Sequence, residues 1–417
     1  MYHRQLVPPA WKLLLLCTSV LMVDMLVVGL AASQHPRVVF THNTPSRSPV
    51  HASPVVMDGT VLYSTLEPDC AMYLANSSTG AVLWRFAAPR RNTDNPLLSR
   101  CGMRTTARVG PFKKLIHTGT DNNTFIAINA SSGQAVWTRM ETAATCKDGT
   151  HYRPCEVYST ALLVSSETAE RHMVRIQGSE DGIVRALQAD SGAVLWTAEL
   201  GSEANGSPVL SPSNKSQFFI GTNDNFVYLL EVATGRLMGR VKTCGCVDTE
   251  PTVDNSTSTL FYTCFSLDPS QPGNHLGGFV GAVDSHNLTY RWKDNSSTGV
   301  PTYHAATGRV YVGYNNGTVA ALHAKDGTIA WTNNQIPGQK EFFGAFVFDD
   351  KRGRLYGANI GGIVMALDTD TGSVIWSVSL GHPVAHQLGP AVSSDGEILF
   401  VGDYGGDFTA FSLTDPQ

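Results

Sequence analysis

The chain has 417 residues, of which 42 % are apolar and 16 % are charged, and its formal net charge at pH 7 is −5. This charge gives no support to nucleic-acid binding, which needs a basic surface. Its 39 glycines and 21 prolines accompany recurring turn signals, and long helical periodicity is absent. The composition therefore predicts an all-β protein, and its length is sufficient for one continuous core.

Residues 1–33 are the first predicted element, a targeting segment. His3, Arg4 and Lys12 precede an apolar run, and the small residues of 29–33 offer signal-peptidase sites. Asp24 interrupts the apolar run, which argues against a permanent membrane span, although an uncleaved signal anchor is the alternative. We predict a signal peptide at 1–33 and a mature protein that is secreted or lies in the secretory lumen, with any membrane contact made through that anchor.

The rest of the chain repeats one unit. A turn glycine followed four residues later by tryptophan recurs in STGAVLW, SSGQAVW, DSGAVLW, KDGTIAW and DTGSVIW. SHNLTYRW ends a remodelled copy, and ATGRLMG has Gly239 at the tryptophan position. Apolar residues alternate around these turns, which predicts short strands that stack on one another. One offset shared by six tryptophans indicates a structural slot, and its members are Trp84, Trp137, Trp196, Trp292, Trp331 and Trp376.

Eight copies follow one another along residues 34–417. The first begins at Ser53, the fifth contains a Gly- and Pro-rich insertion at Asp268–Gly278, and the eighth begins at Gly389 and lacks its last strand. Pro36–Thr41 is a lone β-run without a partner of its own. Pairing of this run with the eighth copy would close a ring and remove the exposed edges of an open array.

The array resembles the pyrroloquinoline-quinone-type (PQQ-like) repeat, whose unit looks like VYVGS-x-DG-x-LYALD-x-x-TG-x-x-x-W. The best matches are GTDNNTFIAINASSGQAVW, GSEDGIVRALQADSGAVLW and GANIGGIVMALDTDTGSVIW, and the resemblance covers nearly all of residues 37–413. It implies an eight-bladed β-propeller of four-stranded antiparallel blades, in which each tryptophan docks one blade against the next. We expect the N-terminal strand to close this ring. WD40 and kelch arrays are the competitors, but the Gly-His and Trp-Asp pairs of WD40 repeats are missing.

Members of this family are either quinoprotein alcohol dehydrogenases or catalytically silent scaffolds similar to the bacterial outer-membrane assembly lipoprotein of the Bam complex. The dehydrogenases hold the quinone over a channel tryptophan and bind Ca²⁺ through Glu, Asn and Asp, and many have a disulfide between adjacent cysteines. Here no two cysteines are adjacent, and the docking slot takes every tryptophan after the leader. The resemblance favours a non-catalytic scaffold that binds a protein or glycan partner through a propeller face without a cofactor. A PQQ- and calcium-dependent oxidoreductase is the alternative.

Seven cysteines follow the leader. Their near pairs predict disulfides Cys70–Cys101 and Cys146–Cys155, and a third that joins Cys264 to Cys244 or Cys246. A zinc site at the last three is the alternative, although their spacing matches no zinc finger or ribbon. His382 and His386 are interpreted as polar loop or channel residues because Pro383 excludes a helix, and we predict no metal site.

Nine sequons without proline favour a secretory route, although turns are rich in Asn, Ser and Thr for other reasons. Eight of them are candidate glycosylation sites: Asn76, Asn122, Asn129, Asn214, Asn255, Asn287, Asn295 and Asn316. The ninth, Asn205, belongs to the set described next and is expected to remain unglycosylated.

A binding site is predicted at one mouth of the central channel. Each copy opens with a short strand of the type small–Pro/Ala–apolar, and the residue three positions before that proline differs between copies. A core position would repeat one apolar type, whereas this position carries charged, polar and aromatic side chains that symmetry brings together, as in many ligand sites. The alternative is a channel that needs polar lining only for water. The set is His51, Arg104, Tyr158, Asn205, Asp248, Thr298, Phe343 and Gln387.

Overall fold

The computed structural model describes residues 35–90, 100–141, 145–148, 151–165, 173–267, 275–294, 299–385 and 389–414. The predicted leader, Asn295, Thr298, His386 and Gln387 therefore lie outside the described residues. Pro36–Gln417 forms one compact unit. None of the helices in the described ranges is long and apolar enough to cross a membrane.

Eight four-stranded antiparallel sheets confirm the predicted eight-bladed propeller. Strand β1 (Val38–Asn43) and a 3₁₀ helix (Pro45–Arg47) come first. Each blade is then a simple meander, and β10 pairs with β11 in a separate hairpin. The strands up to the fourth blade are β2 (Val55–Met57), β3 (Thr60–Ser64), β4 (Ala71–Asn76), β5 (Val82–Ala87), β6 (Arg108–Val109), β7 (Leu115–Gly119), β8 (Thr124–Asn129), β9 (Ala135–Met140), β10 (Thr145–Asp148), β11 (His151–Pro154), β12 (Leu162–Ser165), β13 (Met173–Gln177), β14 (Ile183–Gln188), β15 (Val194–Glu199), β16 (Val209–Leu210), β17 (Gln217–Gly221), β18 (Phe226–Glu231) and β19 (Leu237–Lys242).

The fifth blade differs from the others because the expected insertion lengthens its two middle strands. Its second strand has nine residues and its third has ten, whereas the corresponding strands of the other blades have six or fewer. The strands of the last four blades are β20 (Thr252–Asp254), β21 (Thr259–Leu267), β22 (His275–Asp284), β23 (Thr289–Asp294), β24 (Thr302–His304), β25 (Arg309–Gly313), β26 (Val319–His323), β27 (Ile329–Asn333), β28 (Val347–Asp349), β29 (Arg354–Ala358), β30 (Ile363–Asp368), β31 (Val374–Ser379), β32 (Ala391–Val392), β33 (Ile398–Gly402) and β34 (Asp407–Ser412).

The N-terminal strand closes the ring, as expected. β1 pairs antiparallel with β34, with Val38 opposite Phe411 and Asn43 opposite Asp407. The eighth blade is therefore built from β32, β33, β34 and β1, and β32 contacts the first strand of both the first and the seventh blade. Closure leaves each blade with a neighbour on both sides, so that apolar clusters fill the seams between blades.

The tryptophan slot docks neighbouring blades as predicted. A Cβ added at Gly235, a turn glycine of the fourth blade, would lie 2.5 Å from the ring of Trp196 in the third blade. A side chain larger than hydrogen would therefore push the ring away. The same pairing joins Trp84 to Gly133, Trp137 to Gly192, Trp292 to Gly327 and Trp331 to Gly372.

Phe40 completes this pattern at the point of closure. Its ring lies against Gly80 of the first blade, where an added Cβ would be 2.6 Å away. The last strand of the eighth blade thus contributes an aromatic ring in the place of a tryptophan. Alignment on tryptophan misses Phe40 because this strand comes from the opposite end of the chain.

The meander gives the propeller two unlike faces. The turn between the first and second strands of a blade and the turn between its third and fourth strands lie at one end, which we call the turn face. The connection between the second and third strands and the connection to the next blade lie at the other end, which we call the loop face. Turn-face connections are mostly short, whereas many more residues separate β5 from β6, β9 from β12 and β27 from β28, the strands that are joined across the loop face.

Disulfides brace the loop face. Cys70–Cys101 ties a connection inside the first blade to the connection that leaves it, and Cys146–Cys155 encloses the hairpin. The third disulfide is Cys244–Cys264. Cys246 is a free, half-buried thiol, and burial raises its pKa to about 11. The zinc alternative is therefore wrong, since two of its three thiols are bonded to each other.

Candidate functional site

A cavity of about 130 Å³ is encircled by the inner ends of the blades. Seven of the described blades each contribute the residue that lies two positions before their first strand. Most of these residues are small or carry a hydroxyl group, which leaves room at the axis. The ring consists of Ser53, Thr106, Thr160, Ser207, Glu250, Val300 and Ala345.

Three residues of the predicted mouth set, His51, Arg104 and Tyr158, line the same cavity. They lie two positions before the ring residues of the first three blades, and alternate residues of an extended chain point to the same side. Large side chains at these positions therefore cover the cavity from the loop face. Three members of the predicted set therefore lie together at this cavity, each two residues before a residue of the ring.

The other described members of the mouth set do not line the cavity. Asn205 is 6 % exposed, and its Nδ2 donates to Glu203 Oε2 at 3.3 Å. Asp248 lies beside Cys246, whose pKa its charge helps to raise. Phe343 is 2 % exposed and packs edge-on against Phe265, with ring centroids 5.7 Å apart. These contacts engage the three side chains with neighbouring loop residues, and their place in the convergent set stays a prediction.

Hydroxyl groups of the ring connect neighbouring blades. Thr160 N donates to Ser207 Oγ at 2.9 Å, and Gly389 N donates to Ser53 Oγ at 2.9 Å. A serine oxygen that accepts such a bond still has its own proton to donate. The serine and threonine residues of the ring thus offer hydroxyl donors as well as acceptors. Their small size, rather than their variety, was the sequence signal for the ring.

Arg104 is the centre of charge at the mouth. Its Nε donates to Asp121 at 2.9 Å and lies 3.4 Å from Glu156, and its guanidinium lies 5.7 Å from the ring centroid of Tyr158. Arg100 also contacts Glu156, at 2.6 Å. The mouth is thus a compact network in which Arg104 and Arg100 contact the buried carboxyl groups of Asp121 and Glu156.

Burial and charge set the protonation of this network. Burial lowers the pKa of Arg104, but Asp121, Tyr158 and Glu156 together outweigh burial and raise it. Burial raises the pKa of Asp121 well above its usual range, and Glu156 adds to this effect although Arg104 opposes it. Burial raises the pKa of Tyr158 as well. Arg104 therefore remains a cation and Tyr158 a neutral hydroxyl at neutral pH.

An ion pair crosses the channel between blades that are not neighbours. Arg108 of the second blade reaches Glu250 of the fifth blade at 2.5 Å, and both side chains are more than 40 % exposed. Pairs as exposed as this one contribute little to stability. The pair instead neutralises the carboxylate of the ring. The ion pair could have been suspected from the sequence, since Glu250 is charged at a position where most other copies have a small residue.

The cavity does not fit the quinone of the dehydrogenases that share this repeat. Its volume of about 130 Å³ is below the roughly 300–1,000 Å³ of small-molecule pockets. In the described ranges, the tryptophans lie on the outer strands, away from the axis. The nearest carboxylates, Asp121, Glu156 and Glu250, are paired with arginines. The residues present therefore suit hydrogen bonding to a small polar group or to water.

The predicted sequons differ in accessibility. Asn122 is fully buried, and its Nδ2 donates to Pro89 O at 2.9 Å, so a glycan there is incompatible with this fold. Asn205 is nearly as buried. Five of the remaining candidates lie on the turn face and are at least partly exposed: Asn76, Asn129, Asn214, Asn255 and Asn287. Asn316 is exposed on the loop face.

Comparisons with known proteins agree with this architecture. The chain is 24 % identical over 223 residues to the outer membrane protein assembly factor BamB of Yersinia pestis, which covers 48 % of this chain and 53 % of that protein. The chain thus spans about half the length of the curated relatives it matches. Among solved structures, BamB from Moraxella catarrhalis superimposes with a TM-score of 0.65 at 14 % identity, over 91 % of this chain and 100 % of that chain.

The same fold occurs in an enzyme. Quinohemoprotein alcohol dehydrogenase from Comamonas testosteroni superimposes with a TM-score of 0.62 at 12 % identity, over 92 % of this chain and 78 % of that chain. Such identities show the fold alone. The family model described as "Outer membrane protein assembly factor BamB" matches residues 32–168, 180–262 and 276–416. Because these matches cover most of its length, the chain belongs to this family of PQQ-like repeat propellers.

Proposed function

We propose that the chain is a non-catalytic scaffold that binds a protein partner through the loop face of its propeller. The observation that carries this proposal is the difference between the two faces. Long connections, disulfides and the network around Arg104 are concentrated on the loop face, whereas the turn face consists mainly of short turns. Binding residues are commonly found on loops that a rigid scaffold holds in place.

The distribution of sequons supports the same assignment. Five candidates that are at least partly exposed lie on the turn face, where a glycan would hinder the approach of a partner. Three disulfides suit an oxidising compartment, so we place the scaffold in the secretory lumen or outside the cell. A glycan partner is the alternative ligand for the loop face.

The family supports a scaffold as well. Relatives that match the chain are named for assembly of outer membrane proteins, and their share in that process suggests a protein partner. We extend to this chain only the mode of action, a propeller that presents its loops to another protein. Disulfides preorganise those loops, which reduces the entropy lost when a partner binds.

Two lysines of the sixth blade provide a matched test. Lys340 is exposed on the loop face, and Lys325 is exposed on the turn face. Each would be replaced separately by the photo-cross-linking residue p-benzoylphenylalanine in the full chain, expressed in its native compartment. We expect one protein to be captured from position 340 and not from position 325. Capture of the same protein from position 325 alone would overturn the proposal.

We further propose that the scaffold works without a quinone cofactor. The small cavity and the paired carboxylates support this proposal. The chain would be incubated with PQQ and Ca²⁺, separated by gel filtration and scanned for quinone absorbance. We expect the protein peak to carry none. Stoichiometric absorbance in that peak would instead favour the oxidoreductase alternative.

A further inference from the structure

At the seam between the fourth and fifth blades, the large and the small docking residue have exchanged positions. At the fourth blade the tryptophan position is Gly239, and at the fifth blade the turn-glycine position is Leu288. A Cβ added at Gly239 would lie 2.4 Å from Leu288 Cδ1, so the leucine points into the place left by the missing ring. Leu288 adopts a φ of 59°, the left-handed conformation that its glycine counterparts also adopt. Large and small residues have thus exchanged sides.

The exchange leaves one hydrogen-bonding position of the repeat without its usual donor. In five seams the indole Nε1 donates, at 2.9–3.0 Å, to the carbonyl three residues before the turn glycine, namely that of Ala130, Ala189, Val232, Ala324 or Thr369. The equivalent carbonyl in the fifth blade is that of Ser285. Gly239 has no side chain to reach it, and Ser213 Oγ donates to it at 3.3 Å.

A groove lies beside Leu288 at this seam. Its volume is about 400 Å³, and it opens at the outer rim beside Met238, which is 38 % exposed. Leu229, Met238 and Leu288 give it an apolar side, while Ser213 and Ser285 are among its polar residues. Leucine is smaller than the indole it replaces. The groove therefore combines an apolar surface with the carbonyl that receives an indole N–H elsewhere in the molecule.

We propose that this seam groove is a docking site for an aromatic side chain with an N–H donor, a tryptophan, presented by a protein partner. The molecule's own seams indicate this occupant, because five of them hold an indole on the same backbone carbonyl. The partner's ring would pack on Met238 and Leu288 and donate to Ser285 O. The site lies on the rim beside the turn face, so it is separate from the loop face and does not depend on it.

N-acetyl-L-tryptophanamide is the probe for this site, titrated into the full chain and followed by saturation-transfer NMR. We expect a dissociation constant of roughly 0.1–1 mM, the range for a ligand of this size. N-acetyl-L-phenylalaninamide should bind about five- to tenfold more weakly because it cannot donate a hydrogen bond to Ser285 O.

A matched variant removes the groove by restoring the repeat. Gly239→Trp combined with Leu288→Gly places an internal indole in the seam and should abolish probe binding. Met238→Glu, at a position that is 38 % exposed, should weaken binding at least fivefold. Equal binding by wild type and the double variant would overturn the proposal, as would failure of wild type to bind the probe.

Two other occupants would also contradict the proposal, and each has its own result. Asn214 lines the groove and is a sequon. Probe binding that appears only after enzymatic deglycosylation would show that the chain's own glycan fills the groove. Phe112 is 77 % exposed on the turn face. Concentration-dependent self-association that is lost both in the double variant and in Phe112→Ser would show that a second copy fills it.

Discussion

Arg175 is completely buried between the second and third blades. Its guanidinium donates to the carbonyls of Thr118 and Ile126, at 2.6 and 2.9 Å, and stacks on Phe125 and Trp137. Burial lowers its pKa to about 9. Since the two carbonyls belong to the second blade and Arg175 to the third, the side chain joins the blades through backbone groups that would otherwise lack these partners.

His117 makes this seam sensitive to acid. Burial lowers its pKa to about 3, and the charge of Arg175 adds to the effect, whereas an unfolded histidine titrates near 6.5. The unfolded state therefore binds an extra proton between these values. The free energy of unfolding should be unaffected by His117 above about pH 6.5 and fall by about 1.4 kcal/mol per unit below it. His117→Phe should reduce that slope in denaturant titrations from pH 7 to 4; an unchanged slope would contradict the assignment.

Replacement of Trp196 tests whether the docking slot stabilises the contact between neighbouring blades. Trp196 packs on Gly235 and donates to Val232 O at 2.9 Å, so Trp196→Ala should cost about 3 kcal/mol and lower the melting temperature. Leu195→Ala is the control, because Leu195 is 50 % exposed in the same strand. Equal melting temperatures for Trp196→Ala and wild type would mean that the slot does not hold the blades together.

Sequence patterns predicted residues where the repeat imposes the same environment many times. The tryptophan slot is of this kind, because each ring meets a glycine of the next blade. Phe40 and Leu288 were not predicted, because each makes a docking contact between blades in place of a tryptophan. Of the predicted channel-mouth set, His51, Arg104 and Tyr158 line one cavity, but whether Phe343 faces the axis or a neighbouring loop depends on packing that the repeat does not encode.

Strand β1 is the element on which closure depends. It covers the edge of β34 and brings Phe40 against Gly80. Deletion of residues 34–42 should expose that edge and cause aggregation, measured by light scattering during mild heating. Val38→Ala is the control, because Val38 is 50 % exposed and the substitution leaves β1 in place. A deleted chain that remains monomeric and equally stable would refute closure by β1.

Disulfide pairing in the connections between strands was only partly predictable from the sequence. Spacing predicted Cys70–Cys101 and Cys146–Cys155 but left the partner of Cys264 undecided. Cys246 lies opposite Phe265 in an isolated bridge. Cys246 remains a free thiol, and Cys244 makes the bond to Cys264. Residue spacing alone does not distinguish two cysteines that are two residues apart.

At the scale of the molecule, one repeated meander produces two surfaces with different properties. Short turns recur on one face with little variation, since the repeat itself fixes their residues. The opposite face varies from blade to blade in length, charge and disulfide content. Sequence predicted the number of blades from the count of copies, whereas the concentration of long connections on one face and of most accessible sequons on the other follows only from the strand order.

Hydrogen exchange of the chain, free and bound to the protein captured from position 340, tests the central claim that the loop face is the binding face. We expect slower amide exchange in the bound state within the loop-face segments 100–107 and 334–346. Exchange in the turn-face segments 110–114 and 324–328 should remain unchanged. Protection confined to the turn-face segments would contradict the account.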